Sequence, residues 1–185
     1  QVEHPVTEMI IGLDLVEWQL MVASGDSLPL TQDAVTVNGH AFEARIYAED
    51  PANDFLPSTG TIRHLRTPAV NDGVRIDTGV EQGDEISSFY DPMIAKVITY
   101  GSDRQQALSR MGDALDAYYI RGVSHNISFL NALIAHPRFI KGTLSTSFIA
   151  DEYPDGFHAS DVPHSDPGLP IAVAAALHQK HMIRG

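Results

Sequence analysis

Two places in this sequence bring together side chains that can do chemistry. In the segment His40 to Ala48, Glu43, Arg45 and Tyr47 alternate with Phe42, Ala44 and Ile46. An extended strand there carries the charged pair on one face and the apolar residues on the other. Such a face can simply be solvated. It can also line a cleft, where the planar fork of Arg45 could hold a carboxylate, phosphate or enolate through two hydrogen bonds. The second place is Gln1-Val2-Glu3-His4-Pro5, where a carboxylate and an imidazole stand together ahead of a rigid proline. That pair reads either as a general base with its partner or as a terminal turn. Elsewhere the chemistry is sparse. Cysteine is absent, which excludes disulfides, thiolate nucleophiles and Cys-based zinc sites. The nine histidines show no metal-ligand spacing. No glycine-rich phosphate loop and no Ser–His–Asp set is present.

Composition narrows the partners. With 43% hydrophobic and 19% charged residues, the chain has the balance of a globular protein and not of a disordered one. Its 185 residues fit one domain, or one domain with an appendage, at roughly 100–200 residues per domain. Lys and Arg total 12 against 24 Asp and Glu, a net charge of -12. Nucleic acid and anionic membranes need a basic footprint, so neither is expected as a general partner. An anionic ligand must be met by a local group of arginines working against the overall field. No apolar run approaches the ~20 residues of a membrane span, and no signal peptide is legible. The chain opens at Gln1 without an initiator Met and is expected to be a piece of something longer.

Four stretches differ in character. In 1–35, Asp14 and Glu17 form a capping-box pattern ahead of Leu15, Trp18 and Val22, with Gly25 as the stop; the spacing predicts a scaffold helix. From Ala34 to about Tyr100, short β-prone runs separated by turns predict an antiparallel sheet: His40 to Ala48, Thr61 to Leu65, Gly73 to Ile76 and Met93 to Tyr100. Ser102 and Gln105 then predict a second capping box. After it Ala107, Leu108, Met111, Ala114, Leu115 and Tyr118 trace an apolar stripe that stops at Gly122. A further helix from about Asn126 to His136 completes a helical hairpin, hence an α+β fold. From Tyr153 the composition turns to Pro, Gly, Ser, His and Asp, predicting a linker to Leu169 and then an Ala-rich helix, Ile171 to Ile183, with little to pack on. The expected division is 1–35, 36–152 and 153–185.

Several longer motifs give the sequence a family resemblance. Gln1-Val2-Glu3-His4-Pro5-Val6-Thr7-Glu8, Gly39 to Pro51 with its Phe42-Glu43-Ala44-Arg45 core, Phe55-Leu56-Pro57-Ser58-Thr59-Gly60 and Tyr90-Asp91-Pro92-Met93-Ile94-Ala95-Lys96 resemble, in order, the biotin carboxylase family of ATP-grasp enzymes. The resemblance runs from Gln1 to about Asp155. Tyr100 to Arg104, Asp113 to Asp116, Ile120 to Asn126 and Tyr153 to Phe157 are most similar to the α-subunits of acyl-CoA carboxylases of the propionyl-CoA type, with the methylcrotonyl-CoA type close behind.

The resemblance implies an end of an ATP-grasp domain, then a biotin carboxylase C-terminal domain, then the start of a subunit-joining domain. It implies ATP- and bicarbonate-dependent carboxylation of protein-bound biotin. The implied roles are Glu3 as the base that deprotonates bicarbonate, the Gln1 amide and Val2 N–H as bicarbonate donors, and Arg45 as the cation that stabilises the biotin enolate. Asp91 is implied as support for the biotin pocket and Phe148 as a lining of the adenine pocket, although core packing explains Phe148 equally well. ATP, Mg²⁺ and biotin are the implied cofactors, with the Mg²⁺ and phosphate ligands upstream of Gln1 and the biotin on a separate domain. A biotinyl carrier domain and a carboxyltransferase β-subunit are the implied partners. The implied compartment is the bacterial cytoplasm or the mitochondrial matrix. The bacterial acetyl-CoA-type enzymes pair through a Phe and an Arg on the Gly-Val-Arg strand. Here Arg75 is present but Asp72 replaces the Phe, so that pairing is not expected. The competing reading is a non-catalytic assembly module in which Glu3 and Arg45 are structural charges.

Overall fold

A computed structural model describes residues 4–162, 166 and 168–183. In chain order the elements are α1 (Pro5–Ile11), α2 (Leu15–Ala23), β1 (His40–Tyr47), β2 (Glu49–Asp50), β3 (Leu56–Pro57), β4 (Gly60–Thr61), β5 (His64–Arg66), β6 (Val74–Thr78), β7 (Glu85–Ile86), β8 (Met93–Gly101), α3 (Arg104–Ala117), β9 (Tyr119–Arg121), α4 (Ile127–Ala135), α5 (Pro137–Lys141), α6 (Phe148–Glu152) and α7 (Gly168–Ile183). The main sheet has the order β1-β8-β6, antiparallel throughout. Three small ladders, β2–β3, β4–β7 and β5–β9, fold the intervening loops back on themselves. The arrangement is the α+β class that the strand and helix runs predict.

The main sheet buries one face of β1 under helices. Ala44 and Ile46 are buried on the apolar face of β1, as its alternation requires. Central β8 is apolar almost throughout because both its neighbours and α3 cover it; Ile94, Val97 and Ile98 are fully enclosed. From α3, Ala107, Leu108, Met111, Ala114 and Leu115 enter the core together, one stripe at helical spacing. Thr99 is the polar group inside this layer, and its hydroxyl donates to the Ala107 carbonyl at 2.9 Å, which removes the cost of burying it. Arg104 ties the start of α3 to α5: its guanidinium lies 4.8 Å from the Phe42 ring and 5.6 Å from the Phe139 ring, and donates to the Phe139 carbonyl at 2.6 Å.

Local chemistry moved several boundaries. Pro5 starts a helix instead of a turn: it sits at the first helical position, and Gly12 closes that helix in the left-handed region at φ 69°. Asp14 caps α2 as its spacing requires, accepting from the Val16 and Glu17 N–H groups. Yet α2 buries none of its residues within the described chain, so the scaffold role expected for it is not fulfilled here. The cap of α3 is Asp103, one residue later than the Ser102 pattern, because its carboxylate reaches the Gln106 N–H while the Gln106 amide oxygen reaches back to the Ser102 N–H. Gly122 does not end α3. The strand β9 intervenes and pairs with β5, and a Cβ at Gly122 would collide with the Thr61 carbonyl.

The stretch after Tyr153 is a second departure from the sequence reading. Phe157 is 4% exposed and packs with Phe129, Phe55, Tyr153 and Val162 in a small satellite core. The linker composition therefore does not mean a loose chain as far as Val162, since one buried aromatic outweighs its polar neighbours. Helix α7 does behave as the sequence reading expects: Leu169, Ile171, Val173 and Leu177 are all exposed.

This gives a prediction of local stability. Phe157→Ala should cost about 3–5 kcal/mol in urea unfolding, as truncation of a buried aromatic does. Amide exchange should be slow around Phe157 and fast along α7. Equal exchange in the two segments would contradict the satellite core.

Candidate active site

The polar face of β1 is built by the strand alternation itself. Glu43, Arg45 and Tyr47 point away from the core, and the Arg45 Nε donates to the Glu43 Oε1 at 2.7 Å. The Glu43 side chain is 12% exposed and that of Arg45 is 46% exposed, so the carboxylate is seated and the guanidinium reaches outward. Glu43 first, then Tyr47, raise the Arg45 pKa, so it is a permanent cation. Glu43 occupies the Nε edge and fixes the plane of the fork.

Beside this face lies a cavity of about 300 Å³, lined by Phe42, Glu43, Arg45, Tyr47, Leu130 and Phe139 among others. Its apolar wall comes from α4 and α5, its polar edge from β1. The combination of an apolar enclosure with a few fixed polar groups is that of a ligand site.

Asn126 holds the wall to the strand. Its side-chain oxygen accepts from the Tyr47 N–H at 3.0 Å, and its side-chain nitrogen donates to the Arg45 carbonyl at 3.1 Å. Its own N–H donates to the Tyr47 carbonyl at 3.3 Å. Asn126 precedes α4 where a helix cap belongs, but its side chain makes no cap bond because it is spent on β1. The sequence pattern showed only an Asn before an apolar run, which is a cap signal. Nothing in that pattern points to a strand edge 79 residues away.

The other expected site residues fall as follows. Asp91 lies at the end of β1 where Tyr47 faces Met93, after a register shift between Ile46 and Tyr47. It accepts from the Met93 N–H at 2.9 Å, and the loop is fastened by an Ala48 N–H to Pro92 carbonyl bond of 2.8 Å. Phe148 is buried on α6, its ring 6.3 Å from Phe139 and 5.2 Å from His136. Phe139 in turn lies 5.9 Å from Phe42, so an aromatic series connects Phe148 to the cavity wall. Gln1, Val2 and Glu3 lie outside the described residues. Helix α1, which begins two residues after Glu3, packs against β1.

Arg75 is engaged within the chain. It donates to both carboxylate oxygens of Asp77 at 2.8 Å and to the Glu8 Oε2 at 2.7 Å. Glu8 is buried and accepts the Leu15 N–H at 2.9 Å as well, so this carboxylate joins α1, the start of α2 and β6. Among the described residues no group of three or more His, Asp and Glu side chains converges as a metal site. No helix of the described chain is long and apolar enough to cross a membrane.

Comparison with known proteins gives the family and the fold. Residues 43–151 match the family model of the biotin carboxylase C-terminal domain, and residues 1–31 match the ATP-binding domain of the carbamoyl-phosphate synthase L chain. The chain belongs to the biotin carboxylase C-terminal domain family. It is 49% identical over its whole length to the mitochondrial propionyl-CoA carboxylase alpha chain of Caenorhabditis briggsae, and 50% identical over its whole length to that of Homo sapiens. It is 50% identical, over 96% of its length, to the mitochondrial methylcrotonoyl-CoA carboxylase subunit alpha of Dictyostelium discoideum. The chain spans 25% of the length of each of these relatives. Among solved structures, it is similar to the biotin carboxylase domain of Hydrogenobacter thermophilus 2-oxoglutarate carboxylase in complex with MgADP, ADP and bicarbonate. The TM-score is 0.80 at 37% identity, covering 90% of this chain and 35% of that one. The biotin carboxylase subunit of pyruvate carboxylase gives the same TM-score of 0.80 and 37% identity, with the same shares of 90% and 35%.

Two outcomes follow from this geometry. Asn126→Ala leaves the Tyr47 N–H and Arg45 carbonyl unpaired and should cost about 1–3 kcal/mol in chemical unfolding. Burial, and then the charge of Asp91, push the Glu49 carboxyl above its ordinary range. Folding therefore gains from the Glu49 proton below the unfolded carboxylate pKa and loses that gain as pH rises through the raised value. Glu49→Gln should flatten this fall in urea midpoints taken between about pH 4 and about pH 7. An unchanged pH profile would contradict it.

Proposed function

We propose that the chain is the C-terminal part of the biotin carboxylase component of a biotin-dependent acyl-CoA carboxylase, of the propionyl-CoA α-subunit type. The methylcrotonyl-CoA type, at equal identity, and the acetyl-CoA type are the alternatives. The observation that carries this is Arg45, a permanent cation oriented by Glu43 at the rim of a largely apolar cavity. In this reading Arg45 meets negative charge as it develops on the ureido oxygen of a carrier-borne biotin. Asp91 supports that pocket, Glu3 is the base for bicarbonate, and Gln1 and Val2 are its donors. Phe148 lines the adenine pocket through the aromatic series that reaches Phe139.

Biotin fits the site as a small bicycle with one polar edge, and when bound it supplies the nitrogen that accepts the carboxyl group. What this chain supplies is orientation and fixed charge: Glu43 holds the guanidinium plane, and Asn126 holds the strand. Mg²⁺ is different. Its coordination with ATP is assigned to other parts of the whole protein. Val16, Leu20 and Val22 on α2 are exposed, within the part matched by the ATP-binding model. We assign their cover to the remainder of that domain. The division into 1–35, 36–152 and 153–185 follows the same reading, with 153–162 packed on the middle unit through Phe157. A biotinyl carrier domain and a carboxyltransferase β-subunit are its partners. Its place is the cytoplasm of a bacterium or the mitochondrial matrix of a eukaryote.

One observation favours the competing reading of a non-catalytic module: Arg45 already has an acidic partner on its own strand. The two readings separate in the full-length protein. Arg45→Ala should slow biotin carboxylation ~100–1,000-fold with little change in melting temperature or ATP binding. Arg45→Lys should rescue only partly, since a point charge does not reproduce the fork. Near-normal turnover in Arg45→Ala, or slowing that follows lost folding, would favour the module.

A further inference from the structure

Away from the Arg45 face, a second cavity of about 620 Å³ opens between the loop after β3 and the turn after β9, lined by Ser58, Arg63, Arg121, Ser124 and His125 among others. No acidic residue lines it. In a chain of net charge -12 this is an unusual concentration of positive charge. Arg45, Arg75 and Arg138 have carboxylate partners, whereas Arg66, Arg104 and Arg110 form no ion pair among the described residues. Arg63 and Arg121 form no ion pair among the described residues. Arg121 spends only its Nε, which donates to the Tyr119 hydroxyl at 2.7 Å.

The backbone forces the two arginines together. The Arg63 N–H donates to the Arg121 carbonyl at 2.8 Å, and the crowding that requires glycine at position 122 fixes this approach. Further donors face the same space. The Ser58 hydroxyl oxygen accepts the Ser124 N–H at 3.0 Å, which leaves its proton to give. The His125 Nδ1 is buried without any partner. The His125 ring lines the cavity, although its Nδ1 itself is enclosed. Burial, the leading cause, and the nearby Arg121 charge both lower the His125 pKa, which an incoming anion would offset.

We propose that this cavity is a binding site for a phosphate-ester anion, gripped by Arg63 and Arg121 and completed by Ser58, Ser124 and His125. Planar guanidiniums match phosphate oxygens two at a time, and hydroxyls fill the remaining acceptor directions. The volume lies in the range of sites for organic ligands and far exceeds a lone phosphate. The site does not depend on the carboxylase reading, and its test reads binding alone.

The test is calorimetric titration of the full-length protein with inorganic phosphate, ADP without metal, and coenzyme A, repeated on Arg63→Gln, Arg121→Gln, His125→Phe and, as a control for general charge, Lys141→Gln. Each arginine change should weaken binding about tenfold or more, His125→Phe less, and Lys141→Gln not at all. Equal affinity for phosphate and the two organic anions identifies the free ion as the source. Tighter binding of ADP or coenzyme A that Arg63→Gln and Arg121→Gln both weaken identifies an organic phosphate in this cavity. The absence of saturable binding by all three probes would overturn the site, as would binding that Arg63→Gln and Arg121→Gln leave unchanged in correctly melting protein.

Discussion

The hydrogen bonds between Asn126 and the outer edge of β1 are the constraint on which the site depends. A strand at a sheet edge exposes unpaired backbone groups. Here one side chain satisfies two of them, and the adjoining backbone N–H satisfies a third. The same contacts hold the start of α4 to the edge of β1, while Arg104 and Phe42 hold Phe139 on α5. They also fix the carbonyl of Arg45 itself, and with it the direction in which its side chain leaves the strand. Glu43 then removes the last freedom by holding the Nε edge. The cation is thus placed by backbone pairing on one side and by a carboxylate on the other.

A second joint serves the neighbouring elements. Glu8 is a buried carboxylate that would be expensive to leave alone, but Arg75 and the Leu15 N–H both reach it. Through it the short α1, the start of α2 and β6 share one anchor. Arg75, with Asp77 and Glu8 around it, is committed to intrachain contacts.

Much of this was legible in the sequence because it follows from local periodicity. The alternation of β1 and the stripe of α3 need only neighbours a few residues apart, and both formed where the pattern put them, apart from the two ends of α3. The polar face of Glu43, Arg45 and Tyr47 was legible for the same reason. What was not legible depends on distant partners. Asn126 looks like a helix cap from its neighbours and becomes a strand clasp only through the fold. Phe157 sits in a run with linker composition and is buried only because Phe129 and Phe55 arrive from elsewhere. The pairing of Arg63 with Arg121 needs the β5–β9 ladder, whose two strands are too short to stand out. The roles of Gln1, Val2 and Glu3 rest on the family resemblance.

The central claim is that Asn126 and Arg45 act as one unit, the clasp working through the cation. A double-mutant cycle in the full-length protein tests it most directly, with biotin carboxylation measured for wild type, Asn126→Ala, Arg45→Ala and the double variant. If Asn126 serves to place Arg45, its removal slows the wild type but has little further effect once Arg45 is gone, a coupling within the 0.5–3 kcal/mol typical of residues in one network. Strictly additive losses would contradict the account and leave Asn126 a support of the fold alone.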